Sequence, residues 1–85
     1  MQQSSADALH YEACLSRVLR ELRSQRGYQQ REMAGLLGVS PADYWQIEQE
    51  KKSISVGVLY DFAKIMHVAV PSLLTQAALL FYAES

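Results

Sequence analysis

Apolar residues recur at steps of three and four through most of the chain, and this pattern predicts helices. Tyr11, Cys14, Leu15, Val18, Leu19 and Leu22 form one stripe, so the first helix is expected from about Ala6. Gly27 ends it as a left-handed residue. Met33, Ala34 and Leu37 mark the inner face of a second helix from about Gln30 to Leu37, closed by Gly38. Ser40 is a good N-cap, Pro41 suits the first helical position, and Asp43 suits the positive end of the helix dipole. A third helix should therefore run to about Gln49, with Tyr44 and Ile47 inward. Lys51, Lys52 and Ser53 form a connector. A fourth helix is expected from near Ser55, with Leu59, Phe62, Ala63 and Met66 inside, broken by His67 to Ala69. A fifth follows Val70-Pro71-Ser72 and carries Leu73, Leu74, Ala77, Leu80 and Phe81 at helical steps. The one short strand-like run, "HVAVP", ends in proline. The expectation is an all-α, compact five-helix bundle: one domain over residues 6–85, after a polar, disordered N-terminus at residues 1–5.

Composition changes this picture little. The chain has 85 residues, enough for one domain with a modest core. A formal net charge of −1 is not the basic excess that announces a nucleic-acid binder, although a local basic face matters more than the total. The single cysteine, Cys14, reads as a small buried hydrophobe in a reducing compartment, and no zinc-ligand spacing is evident around it. His10 and His67 read as ordinary surface or helix-end residues. The start of the chain has no signal-peptide pattern, and no apolar run reaches the roughly 18 residues a membrane span needs. A cytoplasmic protein without cofactor, metal or membrane association is expected. With no nucleophile–base pair, paired carboxylates or phosphate-cradling loop, no catalytic residue is assigned and an enzyme is not expected.

The spacing within "QQREMAGLLGVSPADYWQIEQEKK" is restrictive. Two helices cross closely only where a small residue sits at the crossing, and Ala34 supplies it. The turn needs a residue tolerant of positive φ, and Gly38 supplies that. This is the physical specification of a helix-turn-helix. From about Leu15 to Leu74 the chain resembles the phage-repressor/Cro, or Xre-type, helix-turn-helix family. The resemblance rests on Leu22, Gly27, Gln30, Ala34, Leu37, Gly38, Val39, Ser40, Ile47, Glu48, Ala63, Val68 and Leu73 in register. It implies a lambda-repressor-like bundle whose third helix lies in the major groove, with a homodimer reading two half-sites of a DNA operator.

Carried over by position, the resemblance implies that Pro41, Ala42, Asp43, Trp45 and Gln46 face base edges. Pro41 and Ala42 offer only apolar contact, Asp43 would accept from a cytosine amino group, and Gln46 is the good adenine reader. Gln30 and Ser40 would touch phosphates, with Arg31 beside them, and Lys51 and Lys52 would do so after the reading helix. Arg23, and with it Arg17 or Arg20, would add backbone charge contacts. These arginines and Arg26 step by three, and a merely solvated face is the alternative. Glu48 would be structural. Two departures from the family pattern stand out: Glu50 and His67 each occupy a place where glycine is usual.

Trp45 should be largely exposed, because Tyr44 and Ile47 already point inward. It either packs across toward the first helix or a dimer partner, or makes a contact in the groove or with a protein; a contact role is preferred. Leu73, Leu74, Ala77, Leu80 and Phe81 are either core or a dimerisation seam, and the seam is preferred because the sequence stays apolar into "LLFYAES". The expected function is a sequence-specific, homodimeric transcriptional repressor acting on a pseudo-palindromic operator. The alternative is a protein-binding helix-turn-helix module, such as an antitoxin or adaptor, which the near-neutral charge and the acidic, Pro/Ala-bearing third helix favour.

Overall fold

The computed structural model describes residues 2–84, with side chains from Ala6 onward. Five helices follow one another: α1 Gln2–Gln25, α2 Gln30–Leu37, α3 Pro41–Glu48, α4 Val56–Met66 and α5 Val70–Ala83. There is no strand among the described residues, and the all-α bundle is as the periodicity predicts. One boundary differs. Disorder was expected at residues 1–5; Met1 lies outside the described residues, and Gln2 to Ser5 continue the backbone of α1.

The stripe Cys14, Leu15, Val18 and Leu19 of α1 meets Met33, Ala34 and Leu37 of α2, Tyr44 of α3, Phe62 and Met66 of α4, and Leu73 and Ala77 of α5 in one core. The most extensive packing is between α1 and α5, and α2 and α3 pack directly on each other. No single helix among the described residues is long and apolar enough to cross a membrane.

Local chemistry fixes the helix ends. Ser40 Oγ accepts from the Asp43 N–H at 3.1 Å and Ser55 Oγ from the Val58 N–H at 3.1 Å, each satisfying a donor the first turn leaves free. Glu32 accepts from the Gln29 N–H at 2.8 Å at the start of α2. Gly38 closes α2 at φ 71°, and the Val39 N–H then reaches Ala34 O at 3.0 Å. The two positions that lack the family's usual glycine keep a glycine-like backbone: Glu50 has φ 65° and His67 φ 57°. The chain therefore holds the turns after α3 and α4 with side chains that disfavour them.

Candidate nucleic-acid interface

The interface is built on a buried polar network that locks α3 to α1 and α2. Glu48, at the end of α3, has no exposed surface. Its carboxylate accepts from Arg23 Nε at 2.5 Å, Arg23 Nη2 at 3.1 Å and Gln30 Nε2 at 2.8 Å. Burial pushes this carboxyl up, but the hydrogen bonds from Arg23 and Gln30, the neighbouring Tyr44 hydroxyl and the guanidinium charge outweigh it, so Glu48 titrates below its ordinary value. Arg23 also donates to Tyr28 O at 2.6 Å, tying the turn after α1 into the same network. The Tyr44 hydroxyl is buried next to Glu48 without a well-aligned partner; burial first, and then the neighbouring carboxylate, push its pKa up.

Each arginine of the α1 ladder has a partner within the bundle. Arg20 donates to Glu48 O at 2.9 Å and Arg26 to Met66 O at 2.8 Å, so each places a cation on the carbonyl end of another helix. Arg17 pairs with Glu84 at the end of α5. Arg23 is 13% exposed at its side chain and committed to Glu48. This corrects its expected place among phosphate contacts: a guanidinium already satisfied inside the bundle is not offered to solvent.

The outer face of α3 is open. Pro41, Ala42, Trp45, Gln46 and Gln49 are exposed, Asp43 is partly so, and Trp45 retains 43% of its surface. The two lysines that follow fold back over this face. Lys51 Nζ stands 5.1 Å from the Trp45 ring centroid, within cation–π range, and Lys52 Nζ lies 3.3 Å from Asp43 Oδ1. Both lysines are solvent-exposed. Ser40 and Arg31 are exposed at the starts of α3 and α2. Gln30, at the N-terminus of α2, is half-buried, and one of its amide N–H donors is given to Glu48.

The expected dimer seam needs correction. Leu73 and Ala77 are completely buried in the chain's own core, so they have no surface for a partner, and Leu80 and Phe81 are packed against that core. Leu74 keeps part of its surface. Of the large apolar residues of α5, Leu79, at 67%, and Tyr82, at 71%, are exposed most, with Leu74 at 38%. Sequence reasoning passed over Leu79 and Tyr82 because they lie off the continuous stripe. It also passed over a convergence on Cys14: His10, one turn earlier on α1, and Glu84, beyond α5, both reach toward its thiol. The helical spacing of His10 and Cys14 was a signal for this, whereas the arrival of Glu84 depends on how α5 packs.

A helix-turn-helix domain family profile matches residues 15–75, and the chain belongs to that family. Its fold is that of helix-turn-helix transcriptional regulators. Two crystal structures of the clp gene regulator ClgR from Corynebacterium glutamicum are similar to it. One is 28% identical with a TM-score of 0.80, covering 88% of this chain and 79% of that one. The other is 30% identical with a TM-score of 0.72, covering 81% and 88%. The restriction-modification controller protein C.AhdI from Aeromonas hydrophila shares the fold at 23% identity and a TM-score of 0.67, over 72% of this chain and 92% of that one. No protein of curated function matches the sequence.

Proposed function

We propose that this chain is a cytoplasmic transcriptional repressor that binds operator DNA as a homodimer, with α3 in the major groove. The observation that carries this reading is the contrast between the two sides of α3. Its inner side is fixed by Tyr44, Ile47 and the Glu48 network, while its outer side leaves Pro41, Ala42, Trp45 and Gln46 exposed beside two lysines. A rigid helix with an open face and cations at its end meets the geometric requirements of groove reading. Gln46 supplies adenine recognition, Pro41 and Ala42 supply apolar contact to thymine methyls, and Asp43 supplies an acceptor for cytosine. Lys51, Lys52, Arg31 and Ser40 supply phosphate contacts, helped by the α2 N-terminus. Arg23 acts indirectly, by holding Glu48 and thus the pitch of α3. Leu79 and Tyr82, exposed and three residues apart on α5, are the proposed centre of the dimer contact.

The similarity to a clp gene regulator supports a role in gene control. The test is fluorescence-anisotropy binding to duplex DNA from upstream of the protein's own gene, against a scrambled duplex, over a salt series. Preference for the upstream DNA with a negative salt slope supports operator reading. A folded protein that shows no preference sinks it. Trp45, a large aromatic exposed on the same face, would then point to a protein partner in place of DNA.

A further inference from the structure

We propose that His10, Cys14 and Glu84 form a three-ligand site for a divalent cation of the zinc class. The inference does not depend on DNA reading. His10 and Cys14 are four residues apart on α1, which puts both side chains on one face of the helix. Glu84, just past α5, completes the group, and the three donor atoms lie within 4.8 Å of one another. Glu84 Oε1 is the focus: His10 Nε2 is 2.9 Å from it and Cys14 Sγ 3.8 Å. Zinc bonds of about 2.0–2.3 Å place tetrahedral donors roughly 3.3–3.7 Å apart. The two distances to Glu84 Oε1 lie on either side of this range and all three donors lie within 4.8 Å, so seating an ion calls for side-chain adjustment.

The carboxylate is already oriented for the task. Its second oxygen, Oε2, is held by Arg17, so Oε1 is left to the imidazole and the thiol. A hydrogen-bonded ligating carboxylate is the usual second-shell arrangement around a metal. A thiolate and an imidazole select against magnesium and calcium, which prefer all-oxygen sites. Three protein ligands leave a fourth position for water or an added donor.

Zinc is ligated by thiolate rather than thiol. Binding must therefore expel the thiol proton, and affinity falls as pH falls. An occupied site would clamp the first half of α1 to the end of α5. His10 already packs against Phe81 there, with ring centroids 4.8 Å apart and the rings tilted by 45°, and Tyr82 follows. Metal would thus brace the part of α5 that carries exposed apolar surface.

The test is a cobalt(II) titration of the metal-free full chain, followed by zinc competition against a chromophoric chelator. The expected result is a thiolate-to-cobalt charge-transfer band that saturates at one equivalent, is displaced by zinc and is lost in Cys14→Ser. Zinc affinity should drop by about tenfold or more in His10→Gln and in Glu84→Gln. Cys14 is buried and its variant can fail to fold, but His10 and Glu84 are partly exposed, so their variants decide the question once circular dichroism shows them folded. Absence of the band in the unmodified protein, or unchanged zinc affinity in folded His10→Gln and Glu84→Gln, overturns the proposal.

Discussion

Arg23 and Glu48 form a two-point clamp, Nε to Oε2 at 2.5 Å and Nη2 to Oε1 at 3.1 Å, between the last turns of α1 and α3. A buried pair of this kind contributes modestly compared with apolar packing, but removing one partner leaves an uncompensated charge. Glu48→Gln should therefore destabilise the protein by about 3 kcal/mol in urea unfolding. It should also loosen α3 relative to α1, because Arg23 and Gln30 both converge on that carboxylate, while Arg20, bonded to the Glu48 main-chain carbonyl, keeps its contact.

The same carboxylate sets an acid limit on stability. Its folded pKa lies below the ordinary glutamate value of about 4.3. A depressed folded pKa means the unfolded state takes up protons first as pH falls. The contribution is complete above the ordinary value and is lost as pH drops through the folded one. Glu84, lowered by hydrogen bonds from His10 and Arg17, acts in the same direction, so the difference between unmodified protein and Glu48→Gln isolates the buried group. That difference should shrink steadily with acidification in urea titrations; a constant difference would show that Glu48 acts through shape rather than charge.

Glu50 and His67 hold left-handed backbone without being glycine. Relief of that strain should make His67→Gly stabilising by about 1 kcal/mol, offset in part by the greater freedom of glycine in the unfolded chain. For a domain of this size that is a rise in Tm of about 4–8 °C at most. Glu50→Gly should gain less, since it also removes a long contact of 4.0 Å between Arg20 and Glu50. A fall in Tm for His67→Gly would show that the histidine side chain has a stabilising role of its own.

Much of this architecture was legible because it is local. Gly38, Ser40-Pro41 and the stripe through Leu19 act within a few residues, and their periodicity and capping chemistry name the helices directly. The candidate reading face followed for the same reason, since Tyr44 and Ile47 leave Trp45 and Gln46 on the other side of α3. Arg23 was misplaced because its fate depends on a carboxylate 25 residues away. Leu73 and Ala77 were misassigned because a helical stripe does not say whether its own chain or a second copy covers it. Here α1 covers it, and the more polar-looking side of α5 carries the exposed Leu79 and Tyr82.

If those two residues make the dimer contact, Leu79→Glu should place a charge in its middle while leaving the core intact. The expected outcome is a monomer by sedimentation velocity at concentrations where the unmodified protein is a dimer, with an unchanged circular dichroism spectrum. Binding to a two-half-site operator should weaken far more than binding to a single half-site. An unmodified protein that sediments as a monomer at all concentrations removes the homodimer from the proposal.

The last prediction concerns Lys52, whose ammonium stands 3.3 Å from Asp43 on the proposed reading face. Both groups are about half exposed, so the pair contributes little to stability. Its effect on DNA binding should be larger. To contact a phosphate, Lys52 must leave Asp43, and the phosphate then meets an unpaired carboxylate nearby. Asp43→Asn removes both obstacles, so it should tighten binding to non-specific DNA, while an operator that offers a cytosine amino group to Asp43 gains less because it loses that carboxylate acceptor. The tightening should be greatest at low salt, where exposed charges are least screened. Lys52→Ala should have the opposite effect and reduce the salt slope by about one. Trp45 is the only tryptophan and carries Lys51 on its ring, so its emission offers a direct readout of both variants. An emission change on DNA addition whose midpoint moves oppositely in the two variants would place the phosphate backbone against this face. Midpoints unmoved by either substitution would put the DNA contact elsewhere on the molecule.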